Sequence, residues 1–178
     1  RTLIWRLVQD YINKDLLFVA SEFGIYTSLN GGVNWQKLPG SPTIPFRDLV
    51  IQKRENDLVG ASFGRGFYVL DDYSALREMN KENLSAKGKL FKPRDAKLFR
   101  PRNSLGNTGG QFYVAKNPTY GAVFTYHLNS VPKTSKSLRV QSEKKLNSEN
   151  KNIPFPGYEA LRNEMNEKSP SLILTIKD

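Results

Sequence analysis

Six side chains of this 178-residue chain have the types that handle an anionic or glycosidic group: Glu22, Asp48, Asp71, Asp72, Arg47 and Arg65. Two carboxylates held about 5–9 Å apart can cleave a glycosidic bond, one giving a proton and the other acting as nucleophile or base. A guanidinium binds carboxylates through forked, charge-assisted hydrogen bonds. Glu22 and Arg65 stand at equivalent turns of a repeated unit, so with Arg47 they form the candidate binding face. A structural reading competes. Asp71-Asp72 finish a strand where an Asn stands in the previous copy, which suggests turn hydrogen bonds, and Arg65 between Gly64 and Gly66 suits tying neighbouring backbones. We assign no catalytic residue. His127 is the single histidine, set inside an expected strand, so no histidine-based metal cluster or Ser-His-Asp triad is available. The absence of cysteine excludes disulfides and thiolate zinc sites, and Gly64-Arg65-Gly66 lacks the spacing and helix of a phosphate loop. No metal or cofactor is expected.

The elements that carry these residues repeat. Asp15–Asn30 and Asp57–Asp72 are similar, and Leu7 falls on Leu49, Tyr26 on Tyr68 and Asn30 on Asp72, an offset of 42 each time. Strands are expected over Thr2–Val8, Leu16–Ser21, Ile25–Ser28 and Asn34–Leu38, then over Phe46–Gln52, Leu58–Ser62 and Gly66–Leu70, each bounded by Gly, Asn or Asp. Several short strands in a period of about 40–45 residues is the spacing of β-propeller blades. No fourth strand follows Asp72, and a strand from the other end of a longer chain would close that blade.

Ser28-Leu29-Asn30-Gly31-Gly32-Val33-Asn34-Trp35 fits the pattern Ser-x-Asp-x-Gly-x-x-Trp with Asn at the Asp place. It resembles the Asp-box, the turn between third and fourth strands in sialidase-type and sortilin-type blades. Ser28, Asn30, Gly32 and Trp35 would be its structural residues: the Asx side chain accepts backbone amides, the glycine takes positive φ, and the indole buries between blades. Asn56–Asp72, with Gly64, Arg65, Gly66, Asp71 and Asp72, resembles the last blade of BNR-repeat, sortilin (VPS10)-like propellers of large bacterial proteins. In those proteins a proline-rich stretch then leads to a small β-sandwich; Leu90–Arg94 looks like that stretch and Tyr120–Val123 like the first sandwich strand. Ser62-Phe63 stands where that family often has Thr-His, so no role of that histidine carries over.

The resulting fold class is all-β: a partial propeller of about two four-stranded blades over 1–79, a basic proline-containing linker over 80–117, and the start of an immunoglobulin- or fibronectin-like sandwich over 118–178. A short helix or turn is expected at Tyr73–Met79, extended stretches at Leu90–Arg94 and Leu98–Arg102, a loop at Asn103–Gly110, a strand at Ala122–Leu128 and a mobile loop over 130–152. One inserted helix follows over about 156–168, with Tyr158, Leu161 and Met165 on its packing face, and then a strand at Leu172–Ile176. Two blades cannot close a ring, so missing blades and sandwich strands are expected from the rest of the same protein or another chain.

Residues 1–80 carry nine basic and nine acidic side chains, whereas 81–178 carry 18 and 8, so the net charge of +10 belongs to the second half. Eight cations lie between Lys81 and Arg102, which suits either a solvated linker or an anion-binding segment. No RNA- or DNA-binding pattern and no run of about 18 apolar residues is present, so neither a nucleic-acid partner nor a membrane span is expected. The sortilin-like resemblance implies a non-catalytic scaffold that binds protein or peptide ligands, in an exported (periplasmic, cell-surface or secreted) protein. The alternative is a fragment of a sialidase- or glucanase-like glycoside hydrolase whose carboxylates lie outside this chain, with polysaccharide as ligand. Sialidases need an arginine cluster, a Tyr–Glu pair and an Asp acid on separate blades.

Overall fold

The computed structural model describes residues 2–98, 100 and 120–177. The expected Asn103–Gly110 loop and part of the Leu98–Arg102 stretch lie outside them. The chain forms two units, Arg1–Asn129 and Ser130–Asp178.

The first unit is built of antiparallel sheets with short helical turns. β1 (Ile4–Gln9), β2 (Leu17–Ser21), β3 (Gly24–Ser28) and β4 (Gln36–Lys37) form one sheet in that spatial order, and β5 (Phe46–Gln52), β6 (Asp57–Ser62) and β7 (Phe67–Leu70) form a second. Neither sheet closes on itself. The 42-residue offset survives in fine detail. The β1–β2 register is interrupted between Ile4 and Arg6, and the β5–β6 register between Phe46 and Asp48, so Trp5 and Arg47 are the bulged residues of equivalent strands. A bulge kinks its strand and re-aims a side chain.

The core lies between the sheets. Leu16, Phe18, Ala20, Ile25, Phe46, Leu49, Leu58 and Tyr73 are all buried, each large apolar side chain stabilising by about 1.5–3 kcal/mol. At Gly60 the sheets approach closely: a Cβ there would lie 2.9 Å from Ile25 Cδ1 of the first sheet and 3.0 Å from Phe46 Cδ1 of its own. The second copy departs from the first after β7. Asp72, at φ 45°, turns the chain into a 3-10 turn over Tyr73–Glu78, and Tyr73 plugs the core edge-on to Phe18 at 5.2 Å. No fourth strand flanks β7 among the described residues.

The expected linker contributes regular structure. Asn80 caps a short helix, α1 (Lys81–Ser85), and β8 (Gly88–Leu90) pairs with β9 (Tyr126–Leu128). The expected Ala122–Leu128 strand is therefore shortened to its last three residues, those that find a partner.

The second unit carries none of the expected sandwich strands among its described residues. Its described residues form two helices, α2 (Ser135–Ser148) and α3 (Tyr158–Asn166), and no strand. α2 replaces the expected loop: Thr134 caps it, and Arg139 bonds Glu143 one turn on and Glu164 of α3 through Nε and Nη2 at 2.8 Å each. On α3 Leu161 is half-buried, but Tyr158 and Met165 are 82% and 86% exposed, so the expected packing face is not covered. Leu172–Ile176 is exposed and has no ladder partner among the described residues, and a strand needs one.

Candidate functional site

At the end of the first unit where β1 and β5 begin, the two bulged residues meet. The Arg47 guanidinium lies 4.2 Å from the centre of the Trp5 ring and 5.0 Å from that of Phe63, in the β6–β7 turn. Cation and rings attract through the ring quadrupole. Beside this stack Arg6 Nε is 3.4 Å from Asp48 Oδ1, and Asp48 Oδ1 also accepts from Leu49 N. Phe63 is 66% and Phe23, in the β2–β3 turn, 45% exposed. The end thus combines aromatic faces, a sandwiched cation and a carboxylate.

Each expected residue has a place. Glu22 sits at this end, where its carboxylate accepts from Leu3 N at 3.2 Å and fixes the β1–β2 edge. Arg65 also lies here, exposed between Gly64 and Gly66 (both at φ 75°). It makes no hydrogen bond or ion pair among the described residues, so it does not tie neighbouring backbones. Glu22, Arg47 and Arg65 do therefore share one end. Asp71 and Asp72 are at the other, beyond the last residue of β7, so the four candidate acids do not form one cluster. Asp72 Oδ1 accepts from Ser74 N and Oγ, the turn role expected of it; Asp71 is exposed.

The Ser28–Trp35 turn carries the bonds its pattern suggests. Asn30 Oδ1 accepts from Asn34 N at 2.9 Å and from Ser28 Oγ at 3.0 Å, while Ser28 Oγ accepts from Gly32 N at 2.9 Å. Gly32 has φ 92°, a conformation that favours glycine, and the indole of Trp35 lies beside it: a Cβ there would be in ordinary contact with the ring at 3.6 Å. Trp35 is 40% exposed over its own hairpin, not buried between sheets as expected.

A second cluster, at the Asp71–Asp72 end, was not legible in the sequence. Asp10, only 2% exposed, accepts from Arg77 Nε (2.9 Å) and Nη2 (2.8 Å), Tyr73 OH (2.5 Å), Asn13 N (2.7 Å) and Ile12 N (3.0 Å). Arg77 Nη2 also donates to Asn56 Oδ1 at 2.8 Å, and the guanidinium lies 4.9 Å from the Tyr11 ring centre. Burial alone would push the Asp10 carboxyl up; the bonds from Arg77, Asn13, Tyr73 and Ile12 outweigh it and hold the pKa at about 2. Burial and the Asp10 charge push the Tyr73 hydroxyl up, and Asp10 raises Arg77 despite the burial that opposes it. No buried side-chain nitrogen or oxygen among the described residues lacks a hydrogen-bond partner. The group joins the end of β1, the β5–β6 turn and the 3-10 turn.

The basic segment is partly spoken for as well. Lys89 Nζ is 3.4 Å from Glu78, Lys97 Nζ is 2.5 Å from Glu55, and Arg94 lies within 4.0 Å of Glu55, Asp57 and Asp72. The Lys97 hydrogen bond lowers the Glu55 pKa. These three cations thus pair with carboxylates of the first unit. Among the described residues no group of three or more His, Asp or Glu could hold a metal, and no helix is long and apolar enough to cross a membrane. Compared with protein-family models, curated proteins and solved structures, the chain finds no match in any of the three.

Proposed function

We propose that residues 1–79 are two successive blades of an Asp-box, sortilin-like β-propeller in a larger, exported bacterial protein, and that this module binds protein or peptide ligands without catalysis. The observation that carries the reading is the 42-residue repeat, kept down to the matching bulges at Trp5 and Arg47. The Ser28–Trp35 hairpin, with its Asn30 and Ser28 bonds, adds to it. Binding is ascribed to the end that holds Trp5, Arg47 and Phe63. Exposed aromatic faces take apolar side chains, and Arg65 is free to meet a carboxylate. What supports a binder over a glycosidase at this end is that its two acids are engaged in structural contacts, Asp48 with Arg6 and Leu49 N and Glu22 with Leu3 N.

The reading is tested by surface plasmon resonance of the immobilised chain against an array of acidic and aromatic decapeptides. Binders should lose at least about tenfold in affinity on Arg47→Ala or Phe63→Ala, the loss expected for truncating a contact residue at the centre of a site. Robust turnover of sialosides or β-glucans, or no peptide bound more tightly than about 1 mM (roughly 4 kcal/mol of binding), overturns it.

A further inference from the structure

The Ser28–Trp35 turn is held by Ser28 and Asn30, and its indole adds no bond to it: Trp35 stays 40% exposed, outside the core cluster. β3 starts at Gly24, opposite Ser21, and ends at Ser28, opposite Leu17, so the hairpin projects from the end of the sheet away from Trp5 and Arg47. An open cleft of about 270 Å³ lies against the indole, lined by Thr27, Leu29, Asn30, Asn34, Trp35 and Gln36. Three of these carry primary amides and none carries a charge. Asn30 Oδ1 accepts from Asn34 N and Ser28 Oγ, which fixes the orientation of that amide and leaves its Nδ2 without a partner among the described residues. The side-chain amides of Asn34 and Gln36 and the indole Nε1 make no hydrogen bond among them either.

We propose that this cleft binds one ring of a neutral oligosaccharide. A pyranose has a face of C–H groups and a rim of hydroxyls that each donate and accept. The C–H face rests on the electron-rich face of an indole. A primary amide offers two donors and an acceptor, which answer neighbouring hydroxyls at once. An aromatic wall with a few placed polar groups is the usual make-up of a small-ligand site. The uncharged lining selects the kind of sugar. Sialic and uronic acids, like acidic peptides, bring a carboxylate that nothing in this cleft pairs, and Arg47 and Arg65 stand at the other end. Size narrows it further. At about 270 Å³ the cleft falls just short of the roughly 300–1,000 Å³ that takes a drug-sized molecule, so a single ring enters and the rest of the chain stays in solvent. The floor needs no rearrangement, because Thr27 Oγ1 already donates to Leu17 O and the β3–β4 ladder fixes Gln36. An aromatic peptide side chain would also stack on the indole, but would leave the three amides without a use.

The inference does not depend on the peptide-binding end. Trp5 and Trp35 are the two tryptophans, so Trp5→Phe in the full 178-residue chain leaves Trp35 as the one indole reporter. Titrated with maltohexaose, cellohexaose and mannohexaose, this variant should change its emission saturably with at least one of them, at half-saturation below about 5 mM. Hexagalacturonate should leave the emission unchanged. Asn34→Ala and Gln36→Ala remove side chains that hold nothing in the fold, and each should weaken the sugar about three- to tenfold, the loss of a hydrogen bond. Trp35→Ala, followed by calorimetry, should weaken it at least about tenfold, as truncation of a central aromatic contact does. No emission change with any neutral sugar at about 10 mM overturns the proposal. So does equal binding of hexagalacturonate, an affinity indifferent to all three substitutions, or an aromatic decapeptide that moves the Trp35 emission where no sugar does.

Discussion

Replacing Arg77 by methionine removes the guanidinium from beneath Asp10 and keeps much of the aliphatic stem between Tyr11 and Tyr73. Asp10 stays 2% exposed and keeps the bonds from Tyr73, Ile12 and Asn13, but loses its two charged donors at 2.8 and 2.9 Å. Removing one member of a buried ion pair costs about 3–5 kcal/mol, because the other charge is left without compensation. Three neighbouring bonds soften this, so the lower end, about 3 kcal/mol, is expected. The pH dependence gives an independent handle. A carboxyl whose pKa falls from 3.8 to about 2 on folding stabilises the ionised native state by about 2 kcal/mol. That contribution is fully present above the unfolded value, near pH 4, and is lost as pH falls through about 2. The wild-type advantage over Arg77→Met should therefore be constant from pH 7 to about 5 and shrink toward pH 2. Both tryptophans, Trp5 and Trp35, lie in the first unit, so their fluorescence in urea reports this unit alone. With a slope of about 1–3 kcal/mol per molar, the midpoint should drop by roughly 1–3 M. A loss under about 1 kcal/mol, or one equal at pH 7 and pH 2, would refute the assignment of Asp10–Arg77 as the joint of the sheets.

Two further outcomes test the packing and the basic segment. Gly60→Ala should destabilise by about 1–3 kcal/mol, because its Cβ would press on Ile25 and Phe46 at 2.9–3.1 Å; an unchanged urea midpoint would mean the sheets are not that close. Arg94→Ala, or about 0.5 M salt on the wild type, should speed amide exchange over 92–98, since exposed ion pairs are each worth only about 0–1 kcal/mol and are screened. Exchange rates indifferent to both would show that the segment is not held by its charges.

The strands were legible because the signal is local. Alternation and turn residues delimit β1 to β3 and β5 to β7 to within a residue or two, and the bonds of the Asn30 turn span only four positions. α2 was not legible because its polar composition suits a solvated loop as well as a helix. A surface helix needs no apolar stripe when capping, good helix formers and pairs such as Arg139–Glu143 support it. The opposite error befell Leu172–Ile176: an apolar run has strand propensity, but propensity without a neighbour makes no ladder.

The two clusters of greatest consequence differ in how far they could have been foreseen. Trp5 and Arg47 share the 42-residue offset, so aligning the copies already pairs them; what no alignment gives is the bulge that turns both side chains to one side. Asp10, Asn56, Tyr73 and Arg77 have no such relation. Positions 42 away from Asp10 and Tyr73 hold Gln52 and Gly31, so the repeat argues against a shared role. The network exists because the second copy abandons its fourth strand: once the chain turns at Asp72, Tyr73 and Arg77 are carried across to the first sheet, where a buried carboxylate meets them. The same departure strips the edge of β7. A joint that locks the sheets at one end and an edge without a fourth strand among the described residues are thus two results of one break in the repeat.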